Sequence, residues 1–194
     1  MKTWMFALAL TLISQAAFAS GVSARYLRVV PEKVEGFSAD YQPTLDASFD
    51  VLERVVNSET FKERVLNFRN AKGERAFASN NGMTNEEIYE TFMEGREKLL
   101  QDTPGEMNFY LKRYNKWWSK VIGWTNGNIN TIHLNWKFYK NYEPNNIASN
   151  LAHEWTHKIG FDHKSAAEHD SAPYAIGYIV EELARKMLSG EVVY

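Results

Sequence analysis

The chain has 194 residues, with 22 Lys and Arg against 24 Asp and Glu and a formal charge of −2. That near balance, with no basic stripe, argues against nucleic acid as a partner. The absence of cysteine excludes disulfides, lipidation on Cys and a thiol nucleophile, so stability must come from a core or a bound metal, and a chain of this length with 14 % aromatic residues can build one core.

In chain order, residues 1–19 read as a secretory signal. Lys2 supplies the positive start, Trp4 to Ile13 the short apolar run, and Ala17-Phe18-Ala19 the small-x-small site before Ser20. The apolar run is too short to span a bilayer stably and no later stretch is long enough. The expectation is therefore a secreted or periplasmic product over residues 20–194, with no stable membrane insertion after signal cleavage. Residues 20–44, with Pro31 and Pro43, read as an irregular arm. Residues 45–69 read as helix with a break near Ser58, and residues 70–83, holding Gly73, Asn80, Asn81 and Gly82, as a loop. Thr84 with Glu87 makes a capping box for a helix whose buried face carries Ile88, Phe92 and Leu99.

After Pro104-Gly105 the pattern changes. Residues 107–114 and 117–124 are rich in aromatic and β-branched residues and read as strands; Asn126-Gly127 is a hairpin signal, and residues 129–139 read as a strand with Ile132, Leu134, Trp136 and Phe138 on its buried face. Pro144-Asn145-Asn146 caps a helix over residues 147–159, and Pro173 leads a last helix to about Leu188. The fold class expected is α+β in a single domain, with N-terminal helices, a small mixed or antiparallel sheet with an edge strand, a site helix and a C-terminal helix.

Residues 153–163 read His-Glu-Trp-Thr-His-Lys-Ile-Gly-Phe-Asp-His. Histidines four apart on a helix point the same way and can reach one ion. Glu154 is rotated about 100° from His153, toward a metal-bound water rather than the metal. Zinc lowers the pKa of such a water to about 7, and a carboxylate can then take its proton. Gly160 stands where a helix ends in a left-handed residue, and a turn there would bring His163 to the same ion. Three neutral histidines leave a fourth position open, the mark of a catalytic zinc site. The apolar stripe Ile147, Leu151, Trp155 and Ile159 lies opposite His153 and His157, so one face packs and the other meets a cleft.

This stretch resembles the zinc signature of the metzincin metallopeptidases, His-Glu-x-x-His-x-x-Gly-x-x-His, at every fixed position. The resemblance implies a zincin-like domain, His153, His157 and His163 as Zn2+ ligands, Glu154 as general base and a peptide or protein substrate. It also implies an edge strand before the site helix that binds substrate by strand addition, a place that residues 129–139 occupy. The family's methionine turn has no counterpart, since Ser171-Ala172-Pro173-Tyr174 stands in its place and Met187 lies within the last helix. Tyr174 has two readings, a packing residue or an oxyanion donor. Glu181 or Glu182 could serve as third ligand in a second zinc scheme, with Asp162 and Asp170 as weaker candidates. His133 and His169 read as surface residues, and His133, if functional, would line the cleft. Phe37-Ser38-Ala39-Asp40 resembles an aspartate-type latency motif of one branch of the family, without its glycine. A secreted zinc metallopeptidase is the function expected. The alternatives are a cell-wall peptide amidase with the same zinc chemistry and a catalytically silent, metal-stabilised binding or inhibitor domain.

Overall fold

The computed structural model describes residues 25–99, 104–125 and 128–194. The signal segment and the Asn126-Gly127 hairpin signal lie outside the described residues. The fold is α+β in one domain: six α-helices around a four-stranded mixed sheet of order β1-β2-β4-β3. Strand β1 (Arg28–Glu35) runs parallel to β2 (Glu106–Tyr114), β2 runs parallel to β4 (Thr131–Asn135), and β3 (Gly123–Trp124) pairs antiparallel to β4.

Strand β1 corrects the irregular arm expected over residues 20–44. Pro31 demotes this stretch when read alone, but proline is tolerated on an edge strand and at a bulge. Here β1 is an edge strand, and its register with β2 shifts between Val30 and Lys33, around that proline. The helices α1 (Gln42–Val56) and α2 (Glu59–Leu66) break where expected, with the Ser58 hydroxyl accepting from the Phe61 N–H to cap α2. Helix α3 (Asn85–Glu94) has the expected capping box: the Glu87 N–H donates to the Thr84 hydroxyl, and the Thr84 N–H donates to the Glu87 carboxylate. It stops at left-handed Gly95, φ 67°, so Leu99 lies beyond the helix and is exposed.

Asn135 overturns two strand readings. Residues 117–124 yield only the two residues of β3, and the strand expected over 129–139 ends at Asn135, where the short helix α4 (Trp136–Tyr139) begins. The buried Asn135 amide donates to the carbonyls of Lys116 and Val121 at 3.1 Å, and its oxygen accepts from the Lys116 and Lys137 N–H groups. One side chain thus folds 116–121 back as a loop and caps α4. Local side-chain bonding outcompetes the ladder. The strand alternation survives for Ile132 and Leu134, which are buried, and fails for Trp136 and Phe138.

Helix α5 (Pro144–Lys158) packs against α1 and α6 (Ala172–Leu188). Its stripe Ile147, Leu151, Trp155 and Ile159 is buried, together with Ala148 and Ala152. Phe109 of β2 meets Phe49 of α1 at 6.1 Å and Trp155 of α5 at 6.2 Å, which joins the sheet to both helices. The C-terminal turn of α5 is tied to the loop after α3. The ammonium of Lys158 lies 2.7 Å from the Glu97 carboxylate and donates to the Asn108 carbonyl at 2.6 Å. Both charged side chains are almost wholly buried, 2 % and 1 % exposed. Burial works against each charge, lowering the Lys158 pKa and raising that of Glu97, and each partner opposes the shift.

Lys158→Met is expected to cost about 3–5 kcal/mol of stability by leaving Glu97 charged and unpaired in the interior. The double replacement with Glu97→Gln should recover most of this. Denaturant titration measures both, and equal stability of the single and double variants would dismiss the pair as a constraint.

Candidate metal centre

Helix α5 supplies His153 and His157 on the face turned away from the core. The helix ends in a Schellman turn, with the Gly160 N–H donating to the His157 carbonyl at 3.1 Å and the Phe161 N–H to the Thr156 carbonyl at 2.9 Å. Gly160 has φ 108°, and a Cβ there would stand 2.7 Å from Lys98 Cε. Only glycine fits that bend without strain. Beyond it, His163 returns to the other two. The imidazole centroids of His153, His157 and His163 lie 5.0–5.4 Å apart, and one ligand atom from each lies within 4.8 Å of the others. The three-histidine group expected from the sequence is therefore assembled and could hold a metal ion.

The ring protons sharpen this. His153 is hydrogen-bonded to the Pro173 carbonyl, and His157 Nδ1 lies 2.8 Å from the Phe161 carbonyl. A carbonyl can only accept, so the nitrogens facing these carbonyls carry the protons. The two Nε2 atoms are then both lone-pair donors, and they stand 3.2 Å apart. Two such atoms repel unless a cation lies between them. Tetrahedral zinc–nitrogen bonds place ligand nitrogens about 3.3 Å apart. Burial, with His157 and His163 adding to it, pushes the His153 pKa down to about 3; burial also lowers that of His157. Both rings are therefore held in the neutral, ligating form. The Nδ1 of His163 is buried with no hydrogen-bond partner, as is Oε2 of Glu154. A buried polar atom without a partner costs free energy. A cation and a water in the cleft would satisfy both.

Glu154 is fastened on the side away from its open oxygen. Its carboxylate accepts from the Asn150 side chain and from the Thr125 backbone, and Asn150 Oδ1 in turn accepts from the hydroxyl of buried Tyr139 at 2.6 Å. Burial pushes its pKa up to about 8, with these two hydrogen bonds opposing. A neighbouring cation would favour the charged form. Sequence reasoning missed Asn150 and Gly123. Asn150 precedes Glu154 by one helical turn, a spacing that gave a usable signal. Gly123 gave none until the fold placed it: a Cβ there would stand 2.7 Å from Asn150 Oδ1 and 3.0 Å from Glu154 Oε1.

Tyr174 lies in the cleft, its ring 4.6 Å from that of His153 and 4.7 Å from that of His163. The segment Ser171-Ala172-Pro173-Tyr174 forms the entry and first turn of α6, with Ser171 and Ala172 fully buried, and it supplies the Pro173 carbonyl beneath the site. Met187 packs at the edge of the core. Glu181 also lines the cleft, but it accepts from Asn146 at 3.1 Å and Ser149 at 3.5 Å and does not join the histidine group. Glu182 is held elsewhere by Arg64 and Lys186. Asp162 stands 3.2 Å from His157 Nδ1, behind the ligating atom, and Asp170 accepts from the Ala71 N–H. His169 meets the Tyr178 hydroxyl. His133 stacks on Trp124 at 4.2 Å with the planes 6° apart, and is not among the cleft-lining residues. Phe37, of the latency-like stretch, packs on Tyr41 and Trp136. Strand β4 is internal to the sheet, so residues 129–139 do not form an edge. The edge beside the cleft is β3, whose Gly123 and Trp124 line it.

No family profile matches the chain, and no curated protein or solved structure matches it significantly.

Chelation is expected to lower the thermal midpoint, and added Zn2+ to restore it, because an ion that binds only the folded state stabilises it by about 2.7 kcal/mol at a hundredfold excess over Kd. His163→Ala should remove most of this response. A full response in that variant would exclude the third histidine.

Proposed function

We propose that the chain is a zinc-dependent metallopeptidase that hydrolyses peptide bonds outside the cytoplasm, with His153, His157 and His163 holding Zn2+ and Glu154 as general base. The observation that carries this reading is the pair of proton-committed imidazoles, their Nε2 atoms 3.2 Å apart, beside a buried carboxylate with one oxygen left open. A structural ion has no use for that carboxylate, which weighs against a silent binding or inhibitor domain. Zinc at this position would act as a Lewis acid toward a water and a scissile carbonyl.

The chain's own groups do the rest. Glu154 takes a proton from the attacking water at Oε2 and gives it to the leaving amine. Asn150 and the Thr125 backbone hold the carboxylate so that this oxygen stays directed to the cleft. The Pro173 and Phe161 carbonyls fix the tautomers of His153 and His157. The hydroxyl of Tyr174 is the group placed to donate to the oxyanion as the carbonyl becomes tetrahedral. An extended substrate adds to β3 through the backbone of Gly123 and Trp124, which moves the strand-addition role from residues 129–139 to the neighbouring strand.

Glu154→Gln is expected to lower hydrolysis of a mixed peptide library by at least about 100-fold while zinc content is kept. Activity equal to that of the parent would remove Glu154 from the mechanism, and activity surviving full metal removal would exclude the reaction class. Gly123→Ala should lower activity with zinc retained, since its Cβ collides with the Asn150 and Glu154 oxygens. Products cleaved only from cell-wall peptide stems, with no cleavage of the library, would favour the amidase reading.

A further inference from the structure

The net charge hides an uneven distribution. Between Glu106 and Glu143 there is no acidic residue, while Lys112, Arg113, Lys116, Lys120, Lys137 and Lys140 fall in that stretch. The fold gathers part of it on one side. The loop that Asn135 folds back carries Trp117, Trp118 and Val121, exposed by 74 %, 64 % and 48 %, and Trp124 follows at 41 %. On the outer face of the sheet, Lys112, His133 and Trp124 form a row across β2, β4 and β3. Lys116 reaches over the Trp118 ring at 5.6 Å, and Lys137 donates to the Ser119 carbonyl at 2.8 Å. Glu35, opposite Lys112 on β1, is paired with Lys33 at 2.5 Å.

Exposed large apolar side chains clustered in one loop call for a partner. A soluble strand of bases needs a flat stacking platform. Trp117 and Trp118 do not offer one, since their planes stand at 86° with centroids 5.6 Å apart, a wedge of two indoles. Indoles at the tip of a loop flanked by lysines suit a bilayer interface. Trp prefers the headgroup level, and lysine ammoniums reach anionic phosphates while their stems lie on apolar surface. No helix among the described residues is long and apolar enough to cross a membrane, so contact of this kind is peripheral.

We propose that the Asn115–Trp124 loop, with Lys112 and His133 beside it, is a docking surface for an anionic lipid bilayer. This stands on residues other than those of the metal centre and holds whether or not the cleft hydrolyses peptides. Because the same loop contributes Lys120 to Trp124 to the cleft wall, docking brings the cleft mouth to the membrane surface.

The chain has no cysteine, so one introduced thiol gives a unique probe site. Asn115→Cys, carrying an environment-sensitive fluorophore, is mixed with vesicles of phosphatidylglycerol and phosphatidylcholine in equal parts, and Lys72→Cys, in the exposed 70–83 loop, serves as the control. A blue shift at residue 115 only, much weaker on pure phosphatidylcholine, is expected. Trp117→Ala with Trp118→Ala should abolish the shift, and Lys112→Gln and Lys116→Gln should each weaken binding about fivefold, with circular dichroism showing an unchanged fold. The proposal is overturned by no shift at residue 115, or by equal shifts at 115 and 72. It is equally overturned by a shift produced as well by heparin or single-stranded DNA and kept in the double Trp variant, which would assign the face to a soluble polyanion.

Discussion

Two imidazole nitrogens whose ring protons are committed elsewhere stand 3.2 Å apart, and much of the molecule serves to keep them there. Lone pairs do not settle against one another unless the surrounding framework is stiff. The stiffness comes from three directions. Helix α5 is anchored by its apolar stripe and, at its last turn, by the buried Lys158–Glu97 pair. The first turn of α6 presents the Pro173 carbonyl from below. The loop past Gly160 bends back so that Phe161 and His163 close the other side.

The contact between α5 and α6 shows how finely this is set. Gly177 of α6 faces α5, and a Cβ on it would stand 3.2 Å from the Ser149 carbonyl and 3.5 Å from His153 Cβ. A larger residue would push the helices apart and carry the Pro173 carbonyl off His153. The site therefore depends on a residue with no chemistry of its own. On the opposite flank, Gly123 plays a similar part by letting β3 lie against Asn150 and Glu154.

The metal centre was legible because it is local. Its spacing, its helical phase against the stripe and the glycine at the bend all lie within one short stretch, and each has a direct geometric meaning. The helices were legible for the same reason, through caps such as Thr84 and Ser58 that act within one turn. The sheet was harder. Strand β1 contains a proline whose cost depends on being at an edge, and edge position is a property of the whole fold. Asn135 sits inside an alternating run that reads as strand, and only its burial beside Lys116 and Val121 shows it as a stop. The pairing of Lys158 with Glu97, about sixty positions away in sequence, had no local signature either.

The same asparagine leaves its mark on the rim of the sheet. Strand β3 is two residues long, so the margin beside the cleft offers very few free backbone groups. Long bare margins invite indiscriminate stacking of chains into aggregates, and brevity is one of the ways proteins prevent it. A polypeptide settling on this rim gains too little from the main chain alone to stay, and discrimination must then fall to whatever side chains fill the hollows around it.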